Sequence, residues 1–179
     1  MSLISKLTGA QAREVVRRLA SKDGAMSEAV KTVAKEVLSA IDIEETADEV
    51  FYTLDDIDVH DCWDRAGRSY DGYTSSGEAA VELVEETLQE FYDQADRYHK
   101  LGMIMQEHLY CMGVVLGIYL YEYDSQSEFK DWCIDVPIEC AGFLLETWRK
   151  RTTDTALLSA MDDFIRLRCP KWHKYLVKS

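Results

Sequence analysis

Asp55, Asp56, Asp58, His60, Asp61 and Asp64 fall within ten residues of one another in a chain of 179. Carboxylate oxygens with one imidazole form a hard donor set suited to Mg²⁺, Mn²⁺ or Ca²⁺. Asp55, Asp56, Asp58, His60 and Asp61 are therefore candidate metal ligands, in a metal-binding protein or a metal-dependent enzyme. Asp56-x-Asp58-x-His60 opens like a calcium loop. Its sixth position is Asp61 where that loop needs Gly, and its twelfth is Gly67 where it needs Glu, so the EF-hand is excluded. The competing reading, which we favour, has these groups capping helix ends and facing water, with Arg65 and Arg68 offsetting their charge.

The string Trp63-Asp64-Arg65-Ala66-Gly67-Arg68 follows, with Tyr70 and Tyr73 just beyond it. Trp, Arg and Tyr combine large contact area with stacked or bidentate pairing, so Trp63, Arg65, Arg68, Tyr70 and Tyr73 form a candidate recognition surface. The alternative is a clasp in which Trp63 packs into the core and the arginines fasten the segment to adjacent helices. Tryptophan is highly buried on average, which favours the clasp. His108 reads as a core histidine, and His99, beside Lys100 near a helix end, as a partner for terminal carbonyls. Gly113-x-x-x-Gly117 permits a close helix crossing. The basic end (Arg166, Arg168, Lys171, Lys174, Lys178, with Trp172 and Tyr175) reads as favourable charge near a helix C-terminus rather than as an anion site.

Other chemistry finds no foothold. The sequence holds no CxxC, no G-x-S-x-G elbow, no glycine-rich phosphate loop and no HExxH. No motif calls for a cofactor, and the reading leans away from an enzyme. Cys62, Cys111, Cys133, Cys140 and Cys169 are scattered and mostly apolar-flanked, as reduced, packed thiols are. The opening Met1-Ser2-Leu3-Ile4-Ser5-Lys6-Leu7 lacks the continuous apolar stretch of a secretory leader. Together these predict a cytoplasmic protein. The longest apolar run, Leu109 to Tyr121, is too short to span a bilayer, so no membrane partner is expected.

The elements that must position these residues are helices. Thr8-Gly9-Ala10-Gln11 and Ser75-Ser76-Gly77-Glu78 are capping boxes, and Ser27, Asp58 and Thr152 or Asp154 are further candidate caps. Apolar residues recur at helical spacing from Ala12 to Ala20, Val30 to Ile41, Ala47 to Leu54, Ala80 to Tyr98, Ile138 to Trp148 and Leu157 to Leu167. The run at 109–121 is apolar nearly all round and predicts a central helix. Residues 69–77 read as a loop. With only 2 Pro and 9 Gly, little interrupts the pattern. The fold class is all-α: about seven helices in successive antiparallel hairpins, as a HEAT- or TPR-like array or an irregular bundle, in one domain spanning 1–179.

Charge is unevenly spread. Residues 1–40 carry 7 basic and 4 acidic groups, 41–98 carry 3 and 18, 99–148 carry 2 and 8, and 149–179 carry 8 and 3, for a net of −13. An acidic middle between basic ends argues against nucleic acid as a partner, since phosphate binding needs a basic face. An acidic surface that imitates nucleic acid in a basic protein groove is a further possibility.

Leu54-Asp55-Asp56-Ile57-Asp58-Val59, the Trp63–Arg68 string and Gly72-Tyr73 resemble a family of bacterial and archaeal helical proteins. In it a Trp-Asp-Arg-x-Gly-Arg string precedes an acidic helix, an apolar helix and a stretch like Ser127-Glu128-Phe129-Lys130-Asp131-Trp132. The resemblance covers about residues 10–150. It implies a helical-repeat-like module, sometimes found beside SWIM-type zinc fingers, and supplies no catalytic residues. The resulting expectation is a non-enzymatic interaction or scaffold module whose acidic middle and aromatic/Arg segment meet a protein partner.

Overall fold

The computed structural model describes residues 6–22, 24–69 and 72–177. The chain divides into two compact units, Met1–Ala40 and Ile41–Ser179, where the sequence reading takes 1–179 as one domain. The first unit is a helical hairpin of α1 (Gly9–Ala20) and α2 (Ala25–Ser39). Thr8 caps α1 as its spacing predicts: its hydroxyl accepts from Gln11 N at 3.3 Å, and the Gln11 side chain accepts from Thr8 N at 2.9 Å. Ser27 does not cap α2, which starts earlier. Gly24, at φ +85°, turns the chain, and the Ser27 hydroxyl donates to Ala20 O across the bend.

The second unit holds α3 (Ile43–Asp55), α4 (Val59–Arg65), β1 (Gly67–Ser69), β2 (Gly72–Thr74), α5 (Ser76–Lys100) and α6 (Ile104–Asp124). A 3₁₀ helix (Glu128–Trp132), α7 (Val136–Arg151), α8 (Thr155–Arg168) and α9 (His173–Leu176) complete it. It is all-α apart from the β1–β2 ribbon. None of the described helices is long and apolar enough to cross a membrane.

Helix α6 lies at the centre, as its all-round apolarity requires, with α3, α5, α7 and α8 packed against it. Its closest neighbour is α3, and two glycines make that approach possible. A Cβ on Gly113 would sit 2.6 Å from Thr46 Cβ, and one on Gly117 2.5 Å from Ala47 O. Residue numbers rise together along both helices, so α3 and α6 run parallel. Parallel neighbours of this kind occur between alternate helices of stacked hairpins and in a bundle closed around one apolar helix alike.

Within the segment read as a loop over 69–77, Ser69 and Gly72–Thr74 belong to an antiparallel strand pair, with Gly67 opposite Thr74 and Arg68 opposite Tyr73, and Ser76 and Gly77 begin α5. Gly67 has φ +129°, which glycine alone adopts readily, and this turns the chain out of α4 into the ribbon. Asp58 caps α4, Ser75 forms the predicted capping box on α5, and Asp154 rather than Thr152 caps α8. Pro137 sits in the first turn of α7.

Candidate functional site

The Asp/His cluster is dispersed by the helix ends it occupies. Asp55, at the end of α3, accepts a 2.5 Å hydrogen bond from the Ser125 hydroxyl just past α6. Asp56 is the C-cap of α3, and Asp58 spends its carboxylate on His60 N at 2.9 Å. The His60 ring lies edge-on to Trp63, 4.8 Å between centroids, and Asp61 and Asp64 are exposed. Among the described residues no three His, Cys, Asp or Glu side chains converge as a metal site would require. Asp55 thus holds Ser125, Asp58 satisfies a helix end, and Asp56, Asp61 and Asp64 face water.

The Trp63 segment is only partly a clasp. Trp63 is 47% exposed, against the expectation that it packs into the core. On α4 the inward position belongs to Cys62, fully buried, whose thiol donates to Ser76 O at 3.0 Å. One turn of helix cannot aim adjacent residues the same way. Arg65 does fasten: its guanidinium donates to Glu86 on α5 at 2.8 Å. Arg68 and Tyr73 are described in backbone only, and Tyr70 lies outside the described residues.

A second polar constellation emerges that the sequence did not mark. Glu107, in the first turn of α6, is 1% exposed. Arg151, at the end of α7, donates through Nε to Glu107 Oε1 and through Nη1 to Asp96, both at 2.5 Å. His99 Nδ1 lies 3.0 Å from Glu107 Oε2, so His99 faces a buried carboxylate rather than helix carbonyls. Burial opposes the charge on Arg151, but Asp96 and Glu107 outweigh it and hold its pKa above the usual value. These four residues tie three helix ends together. Their partners lie 8, 44 and 55 residues apart in sequence, which no short-range spacing announces.

His108 next to Glu107 is buried and stacks on Trp148, 5.4 Å between centroids. It is the core histidine expected, and its Nδ1 has no hydrogen-bond partner among the described residues. Burial pushes its pKa down, with Asp154 opposing weakly. The five cysteines are all buried and free, and burial raises the thiol pKa of Cys133 and Cys140 to about 11. None is poised as a thiolate nucleophile.

The basic end is largely engaged. Arg168 grips Glu44 through two hydrogen bonds of 2.6 and 2.9 Å, Arg166 pairs with Asp163, and Lys171 lies 3.7 Å over the Tyr123 ring. Lys178 lies outside the described residues.

A groove of about 420 Å³ lies between α5 and α7. Its floor is apolar: Val81, Tyr92, Val136, Cys140 and Phe143. The Tyr92 hydroxyl donates to Cys140 O at 3.2 Å, which pins the ring, and Phe143 lies 5.8 Å from it while remaining 61% exposed. Glu85 rims one side and Glu139 the other. Beside it Glu82, Glu85, Glu86 and Gln89 line a second concavity on the outer face of α5. At the other end the groove runs past Gln89, Tyr92 and Phe143 to Asp96 and Arg151. Arg65 reaches Glu86, so the Trp63-bearing helix abuts this acidic surface.

The amphipathic spacing of α5 predicts its glutamate face correctly. The groove itself needs α7 beside it, and Phe143 falls on the exposed side of a helix whose other large apolar residues point inward. Compared with known proteins, the chain matches no family model, no curated protein and no solved structure.

Proposed function

We propose that the chain is a helical protein–protein interaction module that receives a basic, amphipathic segment of a partner in the groove between α5 and α7. The observation that carries this is Phe143, largely exposed over Tyr92 on an apolar floor, between glutamates on both rims. Exposed aromatic surface in a concave site supplies binding energy. The carboxylates choose the sign of the partner and steer its approach. A Lys or Arg of the partner meets Glu82, Glu85 or Glu139 while an apolar anchor covers Phe143. Trp63, with Arg65 held on Glu86, extends the same surface toward the ribbon that carries Arg68 and Tyr73. Five buried free thiols support a reducing, cytoplasmic setting for the encounter.

The test is fluorescence anisotropy with a labelled helical peptide carrying Leu and Lys on opposite faces, and a counterpart with Glu in place of Lys. The Lys peptide should bind, more weakly as salt shortens the Debye length below about 8 Å. Phe143→Asp and the pair Glu85→Gln/Glu139→Gln should each weaken it at least tenfold. These positions are exposed, so thermal stability should stay within about 0.5 kcal/mol. Equal binding of the two peptides, or no loss in either variant, refutes the groove as the docking site.

A further inference from the structure

A second cavity, of about 380 Å³, lies on the side of α5 opposite the groove, between α3, α5 and α6. Glu49 lines it from α3, Glu90, Phe91 and Tyr98 from α5, and Tyr110 from α6, so its floor and walls all come from the second unit. Phe91, Tyr98 and Tyr110 are 6%, 5% and 8% exposed and make the floor. The two tyrosine rings lie 5.5 Å apart between centroids and tilted by 58°.

The tyrosine hydroxyls set this cavity apart. A buried phenol normally finds a hydrogen-bond partner, as Tyr92 does on Cys140 O. Neither Tyr98 nor Tyr110 has one among the described residues, although both side chains are more than nine-tenths buried. Nor are their oxygens sealed off like that of Tyr121, so they open into the cavity they line. Burial and the nearby Glu49 and Glu90 carboxylates push the Tyr110 pKa up, which keeps its phenol neutral. The carboxylates themselves lack a counter-cation among the described residues. The guanidinium groups that reach these helices are spent on Glu44, Glu86 and Asp96.

We propose that this cavity binds a small aliphatic diamine, with its ammonium groups on Glu49 and Glu90 and its methylene chain against Phe91, Tyr98 and Tyr110. Each ammonium brings three donors and no acceptor, and the cavity offers carboxylate and phenol oxygens in return. The aromatic floor attracts an organic cation through its ring faces and buries its methylenes. An anion has no lining cation to meet. A divalent metal ion needs several converging carboxylates, and among the described residues no such group exists. The cavity volume falls within the range of small-molecule sites, about 300–1,000 Å³. None of this depends on the groove, which uses the other face of α5.

Isothermal titration calorimetry of the full chain with 1,4-diaminobutane at fixed ionic strength tests it. The native chain should bind one equivalent saturably, and Mg²⁺ at equal charge should not abolish the binding. Glu49→Gln/Glu90→Gln and Tyr110→Phe should each weaken it at least about tenfold, because each removes an acceptor for a charged donor. Glu128→Gln/Asp131→Asn takes the same charge from outside the cavity and should leave affinity unchanged. Nα-acetyl-lysine amide, with one ammonium, should bind at least about tenfold more weakly than the diamine. No saturable binding to the native chain overturns the proposal, and so does full displacement by Mg²⁺, which marks a diffuse counterion effect. Unchanged affinity in Glu49→Gln/Glu90→Gln or in a folded Tyr110→Phe overturns it too, as does an equal loss in Glu128→Gln/Asp131→Asn. Equal binding of the lysine derivative would assign the cavity to a lysine side chain instead. Peptide binding in the groove is measured separately, so either proposal can fail without the other.

Discussion

Arg151→Met should be among the most damaging single substitutions in the second unit. It strands Glu107, 1% exposed, whose Oε1 accepts from Arg151 Nε at 2.5 Å. Removing one partner of a buried ion pair costs about 3–5 kcal/mol, because the remaining charge stays desolvated. Two features place the cost at the lower end. His99 Nδ1 still reaches Glu107 Oε2 at 3.0 Å, and Asp96, with its side chain 44% exposed, is rehydrated when Arg151 is lost. The expected loss is about 3 kcal/mol, or about 6–12 °C in Tm for a chain of this size. Urea unfolding followed by tryptophan fluorescence reads the second unit alone, since Trp63, Trp132, Trp148 and Trp172 all lie in it. The double variant Glu107→Leu/Arg151→Met removes both charges and should recover about 2 kcal/mol of the single-variant loss. An Arg151→Met loss below about 1 kcal/mol would refute the reasoning. So would a double variant no more stable than the two single losses add up to, since the pair would then not be coupled.

Two further outcomes follow from the core. Gly117→Ala forces a methyl group to within 2.5 Å of Ala47 O and 2.6 Å of Val50 Cβ, neither of which is a flexible side-chain end. It should cost at least about 2 kcal/mol by overpacking, measured in the same urea titration, whereas Gly77→Ala meets no atom within 4 Å and serves as the control. His108→Leu removes a buried ring whose pKa is pushed below 6.5 by burial. The unfolded chain therefore binds the proton more readily, and native stability falls as pH drops below 6.5 toward the depressed folded value. Melting curves across that window should decline less steeply for His108→Leu than for the native chain; parallel declines would show that His108 does not contribute.

The helices themselves are legible because their signals are local. Thr8 with Gln11, Ser75 with Glu78, and Asp58 at the head of α4 are choices a few residues wide, and all three form as their spacing predicts. The inward row of α5, from Ala80 to Tyr98, is likewise a matter of 3.6-residue periodicity. Where the reading failed, the cause was a neighbour. Trp63 turned outward because α4 has only seven residues and gives its inward place to Cys62. Gly67–Ser69 and Gly72–Thr74 pair as a ribbon because Gly67 redirects the chain, a backbone event with a weak side-chain signature.

From the sequence alone came the helical class, the central place of α6, the acidic face of α5 and the packed state of the thiols, since each depends on composition or on residues within a turn or two. Tertiary structure alone decided which helices touch and in which direction. It ran α3 parallel to α6 through Gly113 and Gly117, and buried Glu107 against an arginine 44 residues away. It also set α7 beside α5 so that Phe143 and the glutamates share one groove. Those outcomes turn on shape complementarity between distant segments, and a single helix's periodicity says which side is buried but not what buries it.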